Sequence, residues 1–136
     1  MIKKLLQLCL GAFLTSAGSS HLGSNRKEFL AQVPTWLPLN ADFVVITSGL
    51  VEIALGILLI TTTFIFTKYR KQIGIAAAVF FILIFPGNIN QYVQGIDAFG
   101  LNTDEARLIR LFFQPLLVAW ALWSSNALKT FAKPGR

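Results

Sequence analysis

The sequence predicts an all-α membrane protein: a four-helix transmembrane bundle with both termini cytoplasmic and an amphipathic outer loop between helices one and two. Three observations predict it. The chain is 54% hydrophobic and 13% charged, against about 25% charged residues in a soluble domain. Four long stretches are almost free of charge. The basic residues are shared unequally between the segments that join those stretches. At 136 residues the chain has the length of one domain, residues 1–136.

The first stretch, Leu5 to Asn25, contains no charge and gives a helix over about 5–23. Lys3-Lys4, the apolar core and Thr15-Ser16-Ala17 also fit a cleavable signal peptide. Cleavage would leave three spans and an external N-terminus, so a retained helix is the expectation. In the next segment Phe29, Leu30 and Val33 fall at helical spacing before Pro34-Thr35-Trp36-Leu37-Pro38. That pattern suits the membrane interface, where an indole buries its body and keeps its N–H wet. The second helix covers about 42–67. The 25 residues from Phe43 to Thr67 hold one charge, Glu52, and at about 1.5 Å per residue they exceed a hydrocarbon core of roughly 30 Å. The third, about 72–95, is free of charge and carries Pro86-Gly87, which predicts a kink. The fourth, about 106–128, contains Pro115 and ends near Trp120 and Trp123, a second aromatic belt. All three tryptophans are also explained as anchors alone.

Charge sets the orientation. With the N-terminus inside, the inner side holds Lys3, Lys4, Lys68, Arg70, Lys71, Lys129, Lys133 and Arg136, eight basic residues and no acid. The outer side holds Arg26, Lys27, Arg107 and Arg110 with Glu28, Asp42, Asp97, Asp104 and Glu105. This is the positive-inside pattern of an even number of spans. A pI near 9.9 therefore reports topology. With no basic stripe and no interleaved exposed aromatics, nucleic acid is not an expected partner; the lipid bilayer is.

Polar groups converge on the outer half. Glu52 lies about 15 Å below Asp42, where an ionised carboxylate costs about 2.5 to 3.5 kcal/mol on insertion scales. Ser48, Gly49, Glu52 and Gly56 share a face of helix two, as Gly11, Thr15, Gly18 and Ser19 share one of helix one, leading to His21. Small residues there allow close backbone approach. Helix three brings Asn88 and Gln91 on one face; helix four brings Arg107, Arg110 and Gln114 on one face. Lipid offers these groups no partner, so His21, Glu52, Asn88, Gln91, Arg110 and Gln114 are expected to turn inward as a polar cluster or ligand site. An Arg110 to Glu52 pair, direct or bridged by Gln114 or His21, would neutralise the acid. Two readings stay open: a structural buried ion pair with amide glue, or a functional site. Arg110 snorkelling towards Asp104 or Glu105 is a further alternative.

No catalytic constellation is visible. His21 is the single histidine and Cys9 the single cysteine, so no intrachain disulfide forms and no zinc pattern or haem-ligand pair across helices is expected. No cofactor and no metal site are expected.

Taken in order, Gly18 to His21-Leu22, Phe29, Val33-Pro34-Thr35-Trp36-Leu37-Pro38, Gly49-Leu50-Val51-Glu52 with Gly56, Phe85-Pro86-Gly87-Asn88, and Arg110 to Gln114 with Trp120-Ala121 resemble the DoxX-like small membrane proteins. The similarity runs from about Gly11 to Trp123, and Gly87 departs from the alanine common there. The resemblance implies a four-helix integral protein of the bacterial cytoplasmic (inner) membrane. It places His21, Glu52, Asn88 and Arg110 on the family's polar signature. It also implies association with quinol oxidase or thiol-linked oxidoreductase complexes, although a solitary Cys9 towards the inner side does not suit a thiol mechanism.

The expected function is a non-catalytic accessory subunit, or a binder of a quinone- or lipid-like molecule, beside a membrane oxidoreductase or quinone-linked partner. A homo-oligomer is compatible with the sequence. The alternatives are a small transporter or proton pathway using Glu52, and a membrane-embedded enzyme. The topology is testable in intact cells by cysteine labelling. Positions Ser24 and Thr103 are expected to react from outside, and Tyr69→Cys only after permeabilisation. External labelling at residue 69, or a mature N-terminus near Gly18, overturns the four-span arrangement.

Overall fold

Apolar runs interrupted by glycine, proline and short polar turns give helices and nothing else. The computed structural model describes residues 1–132. They form α1 (Ile2–Leu22), α2 (Arg26–Gln32), α3 (Ala41–Phe64), a 3-10 turn (Thr67–Tyr69), α4 (Arg70–Gln94), α5 (Asp104–Ser124) and α6 (Leu128–Phe131). No strand occurs among the described residues; Ala98 and Leu101 form one isolated bridge. Lys133 and Arg136, two of the basic residues counted on the inner side, lie outside the described residues.

Three segments are long and apolar enough to cross a membrane: Ala41–Phe64, Thr67–Gln94 and Asp104–Ser124. At 21 residues α1 has comparable length, but Gln7, Ser16, Ser19, Ser20 and His21 dilute its apolar character, and it is not among the three.

Local chemistry fixes the helix ends. Asn40 caps α3 by accepting from the Phe43 N–H at 3.2 Å, and Thr103 caps α5 by accepting from the Ala106 N–H at 3.1 Å. Gly95 closes α4 in the left-handed conformation (φ 63°), and the Ile96 N–H returns to Gln91 O at 3.0 Å, a Schellman closure. The segments expected to continue to residues 67 and 128 stop earlier. Ile65 turns extended (φ −115°, ψ 151°) to end α3 at Phe64, and Phe66 and Asn126 follow their helices with positive φ of 54° and 65°. Pro86 and Pro115 sit inside unbroken helices. The loop expected between the first two long helices contains α2, and Arg26 tethers it to Asp42 at 2.7 Å.

The four long helices pack chiefly as two pairs, α1 on α3 and α4 on α5, joined by α3–α4 and α1–α5 contacts. Both pairs are antiparallel. Gly11 meets Gly56 and Ile60, whereas Gly18 meets Gly49 and Ile53. In the second pair Gly74 meets Ser125, whereas Phe81 O accepts from Gln114. Between them lies a core of Leu10, Leu14, Leu55, Leu59, Ala77, Ala78, Phe80, Phe81 and Ala121. Large apolar side chains remain outside on the long helices: Leu50, Ile57, Leu83, Val93, Phe112 and Leu116 are all more than half exposed. Such a girdle matches a lipid-facing surface better than a wet one.

At the end opposite α2, polar groups tie the pairs together. Gln7, fully buried, donates to Leu59 O and Thr62 Oγ1 and accepts from Arg70 Nε. Arg70 Nη2 reaches Ser124 O at 2.6 Å. Trp120 Nε1 donates to Leu6 O at 2.9 Å, and Lys3 lies over the Trp123 ring at 4.9 Å. Trp120 is thus a strut between α5 and α1.

The α1–α3 crossing has no room for side chains. A methyl group on Gly18 would stand 2.7 Å from Gly49 O, and one on Gly49 would stand 2.8 Å from His21 Cβ. At Gly87 the same methyl would meet only Gln32 O at 3.5 Å, an ordinary contact. Gly49→Ala is therefore expected to destabilise by about 1 to 3 kcal/mol through overpacking. Gly87→Ala, inside α4, is expected to be neutral or stabilising by up to about 1 kcal/mol. Thermal unfolding in mild detergent checks both, and equal effects would refute the tight crossing.

Candidate functional site

The α1–α3 crossing sets the first half of the site. Helical side chains lean towards their own N-terminus. Because α1 and α3 are antiparallel, His21 leans back along α1 while Glu52 leans up along α3, and they meet beside Gly49. His21 Nδ1 lies 3.0 Å from Glu52 Oε2, with both side chains buried. Nδ1 is also 3.0 Å from Ala17 O. Glu52 Oε2 thus has a close polar neighbour but no aligned hydrogen bond, and it is a buried acceptor left unsatisfied. The His21 ring stacks on Phe29 of α2 (centroids 3.5 Å apart, planes at 22°), and Phe29 meets Phe99 edge-on at 4.7 Å.

The α4–α5 pair provides the other half. Gln114 Oε1 accepts from Asn88 Nδ2 at 3.3 Å and from Arg110 Nη1 at 3.2 Å, while Gln114 Nε2 donates to Phe81 O at 2.6 Å. Gln91 works behind this group. It accepts from Gln32 Nε2 at 2.7 Å and donates to Ile96 O and Ala98 O, holding the segment that follows α4. Arg107 clamps the same segment through Asp97, Leu101 O and Asp104.

Between the halves is a cavity of about 510 Å³, within the range of small-molecule sites. Its walls are mostly apolar and include Val45, Phe81, Ile84 and Leu117; its polar positions include His21, Gln32, Ser48, Glu52, Asn88 and Arg110. Of the six residues singled out in the sequence, His21, Glu52, Asn88 and Arg110 line this cavity. Gln91 and Gln114 stand outside it as supports, each hydrogen-bonded to a residue that lines it. Trp36, at 68% exposure, sits on its rim.

The anticipated direct Glu52 to Arg110 ion pair is not formed. The acid faces His21, and Arg110 binds the neutral amide of Gln114, with no carboxylate within salt-bridge reach among the described residues. The reason is helix pairing: Glu52 belongs to the α1–α3 crossing and Arg110 to the α4–α5 face, with the cavity between. Arg107, grouped with Arg110 by spacing, turns away to the 95–103 connection. Gln32 and Phe99 were not foreseen as site residues. Gln32 gave no signal beyond its place one turn after Phe29, and Phe99, at a positive φ of 56°, is held by a tertiary contact with Glu28, whose Oε1 accepts the Phe99 N–H at 3.1 Å.

Chemically the site offers one acidic acceptor, one guanidinium and amide groups facing a cavity with apolar walls. Cys9 is exposed and does not line it. No cluster of three metal-ligating side chains occurs among the described residues. The geometry makes His21, not Arg110, the stronger partner of Glu52. In thermal unfolding of Glu52→Gln, His21→Gln and the double variant, the interaction energy is expected within about 0.5 to 3 kcal/mol. It should exceed that of the Glu52/Arg110 cycle, and an equal or larger Arg110 term would contradict the arrangement.

No curated protein and no solved structure matches the chain. One family model does, over residues 10–125, which takes in all six singled-out residues and the crossing glycines. The chain belongs to the family described as Domain of unknown function (DUF8561).

Proposed function

We propose that this is an integral protein of the bacterial cytoplasmic membrane that binds an amphiphilic, quinone- or lipid-like molecule. In this reading α1, α3, α4 and α5 all cross the bilayer, both termini are cytoplasmic, and α2 lies at the outer surface. The protein acts as a non-catalytic subunit beside a membrane redox partner. The cavity carries the reading: apolar walls suit a hydrocarbon body, and the polar groups that face one another across it suit a head. Exposed apolar side chains on the long helices and the unequal placement of basic residues support the membrane topology. The redox association rests on the DoxX-like order of motifs. A second reading, a proton pathway through Glu52, is favoured by one observation, the unsatisfied Oε2 beside His21.

Ser48 lines the cavity from α3, so Ser48→Trp fills it. Protein purified in mild detergent is expected to carry an amphiphile detectable by mass spectrometry, and Ser48→Trp to reduce its amount at least tenfold. Equal occupancy in the filled variant, or no bound amphiphile in either protein, would refute the binding role. Proton flux in proteoliposomes that Glu52→Gln abolishes would favour the second reading.

A further inference from the structure

We infer that the cavity selects a zwitterionic amphiphile whose head carries a primary ammonium and a phosphate or carboxylate. This rests on the reading of the cavity as an amphiphile site and names the head. Glu52 is only 4% exposed, lines the cavity, and has an oxygen with no hydrogen bond. His21 Nδ1 stands 3.0 Å from this oxygen but also 3.0 Å from Ala17 O, so one ring nitrogen cannot serve both in full. A buried acceptor without a donor is costly, and a charged donor satisfies a carboxylate best. Across the cavity, Arg110 uses one hydrogen bond, to the neutral Gln114. A guanidinium has five N–H donors in a planar fork suited to phosphate or carboxylate. An acid and a guanidinium therefore face one cavity without meeting. A neutral head leaves the unsatisfied Glu52 oxygen and the Arg110 guanidinium without a charged partner, and a singly charged head serves one of them. A zwitterion compensates both, its ammonium at Glu52 and its anion at Arg110.

The tail has a route. Phe13, Trp36 and Leu83 line the cavity and are also exposed on the outside, Leu83 at 71%. The cavity thus continues into apolar surface, where a chain can leave into lipid. A volume of about 510 Å³ suits a head and the first part of one chain.

The test compares single-chain amphiphiles of identical tail on the full-length protein in detergent, by native mass spectrometry and titration calorimetry. The probes are lysophosphatidylethanolamine, lysophosphatidylcholine, lysophosphatidate and monoacylglycerol. Lysophosphatidylethanolamine is expected to bind at least tenfold more tightly than lysophosphatidylcholine, whose quaternary ammonium has no hydrogen to donate, and more tightly than monoacylglycerol. Glu52→Gln should erase the ethanolamine-over-choline preference and leave lysophosphatidate binding within about threefold. Arg110→Gln should erase the advantage of phosphate heads over monoacylglycerol. Circular dichroism and gel filtration establish that each variant is folded, and Ser48→Trp is the occupancy control. Equal binding of all four probes, each weakened by Ser48→Trp, overturns the head selection and leaves the amphiphile site standing. Lysophosphatidate binding more tightly than lysophosphatidylethanolamine overturns the ammonium assignment. Failure of every probe to bind overturns both this inference and the binding role.

Discussion

The absence of side chains at Gly18 and Gly49 is the constraint on which the site depends. It lets the α1 and α3 backbones come within van der Waals contact, and that approach puts His21 beside Glu52. Without it, the carboxylate would lie in an apolar helix with no polar neighbour on α1. The same crossing, repeated at Gly11 and Gly56, continues along the pair. The helix ends opposite α2 are held separately, by Gln7, Arg70 and Trp120. Packing that relies on small residues and a few interhelical hydrogen bonds suits lipid, where apolar burial between helices contributes little.

The two helix pairs are chemically unlike on the sides they turn to the cavity. The α1–α3 side brings an acid and an imidazole. The α4–α5 side brings a guanidinium and amides, with Gln114 fixing the positions of both Asn88 and Arg110. Helix pairing keeps the acid and the guanidinium apart, with the cavity between them. The cover is built from weaker parts. Phe29 stacks on His21, Gln32 reaches Gln91, and the 95–103 connection is held by Gln91 and Arg107. These few contacts join α2 and the connection to the groups that face the cavity, so a change in one has a direct physical route to the other.

Sequence periodicity determined much of this protein. Charge-free runs gave helices, glycine spacing gave the crossing faces, and the depth of Glu52, His21, Asn88 and Arg110 along their helices placed them near a common level. These features are properties of single helices, whose 3.6-residue repeat and 1.5 Å rise fix face and depth without reference to neighbours. The tertiary structure decided what each group meets. Rotation and pairing between helices gave Glu52 to His21 and Arg110 to Gln114, turned Arg107 away, and recruited Gln32 and Phe99 from connecting segments. A hydrogen-bond partner depends on distances of about 3 Å and on alignment, and spacing along one helix specifies neither across two.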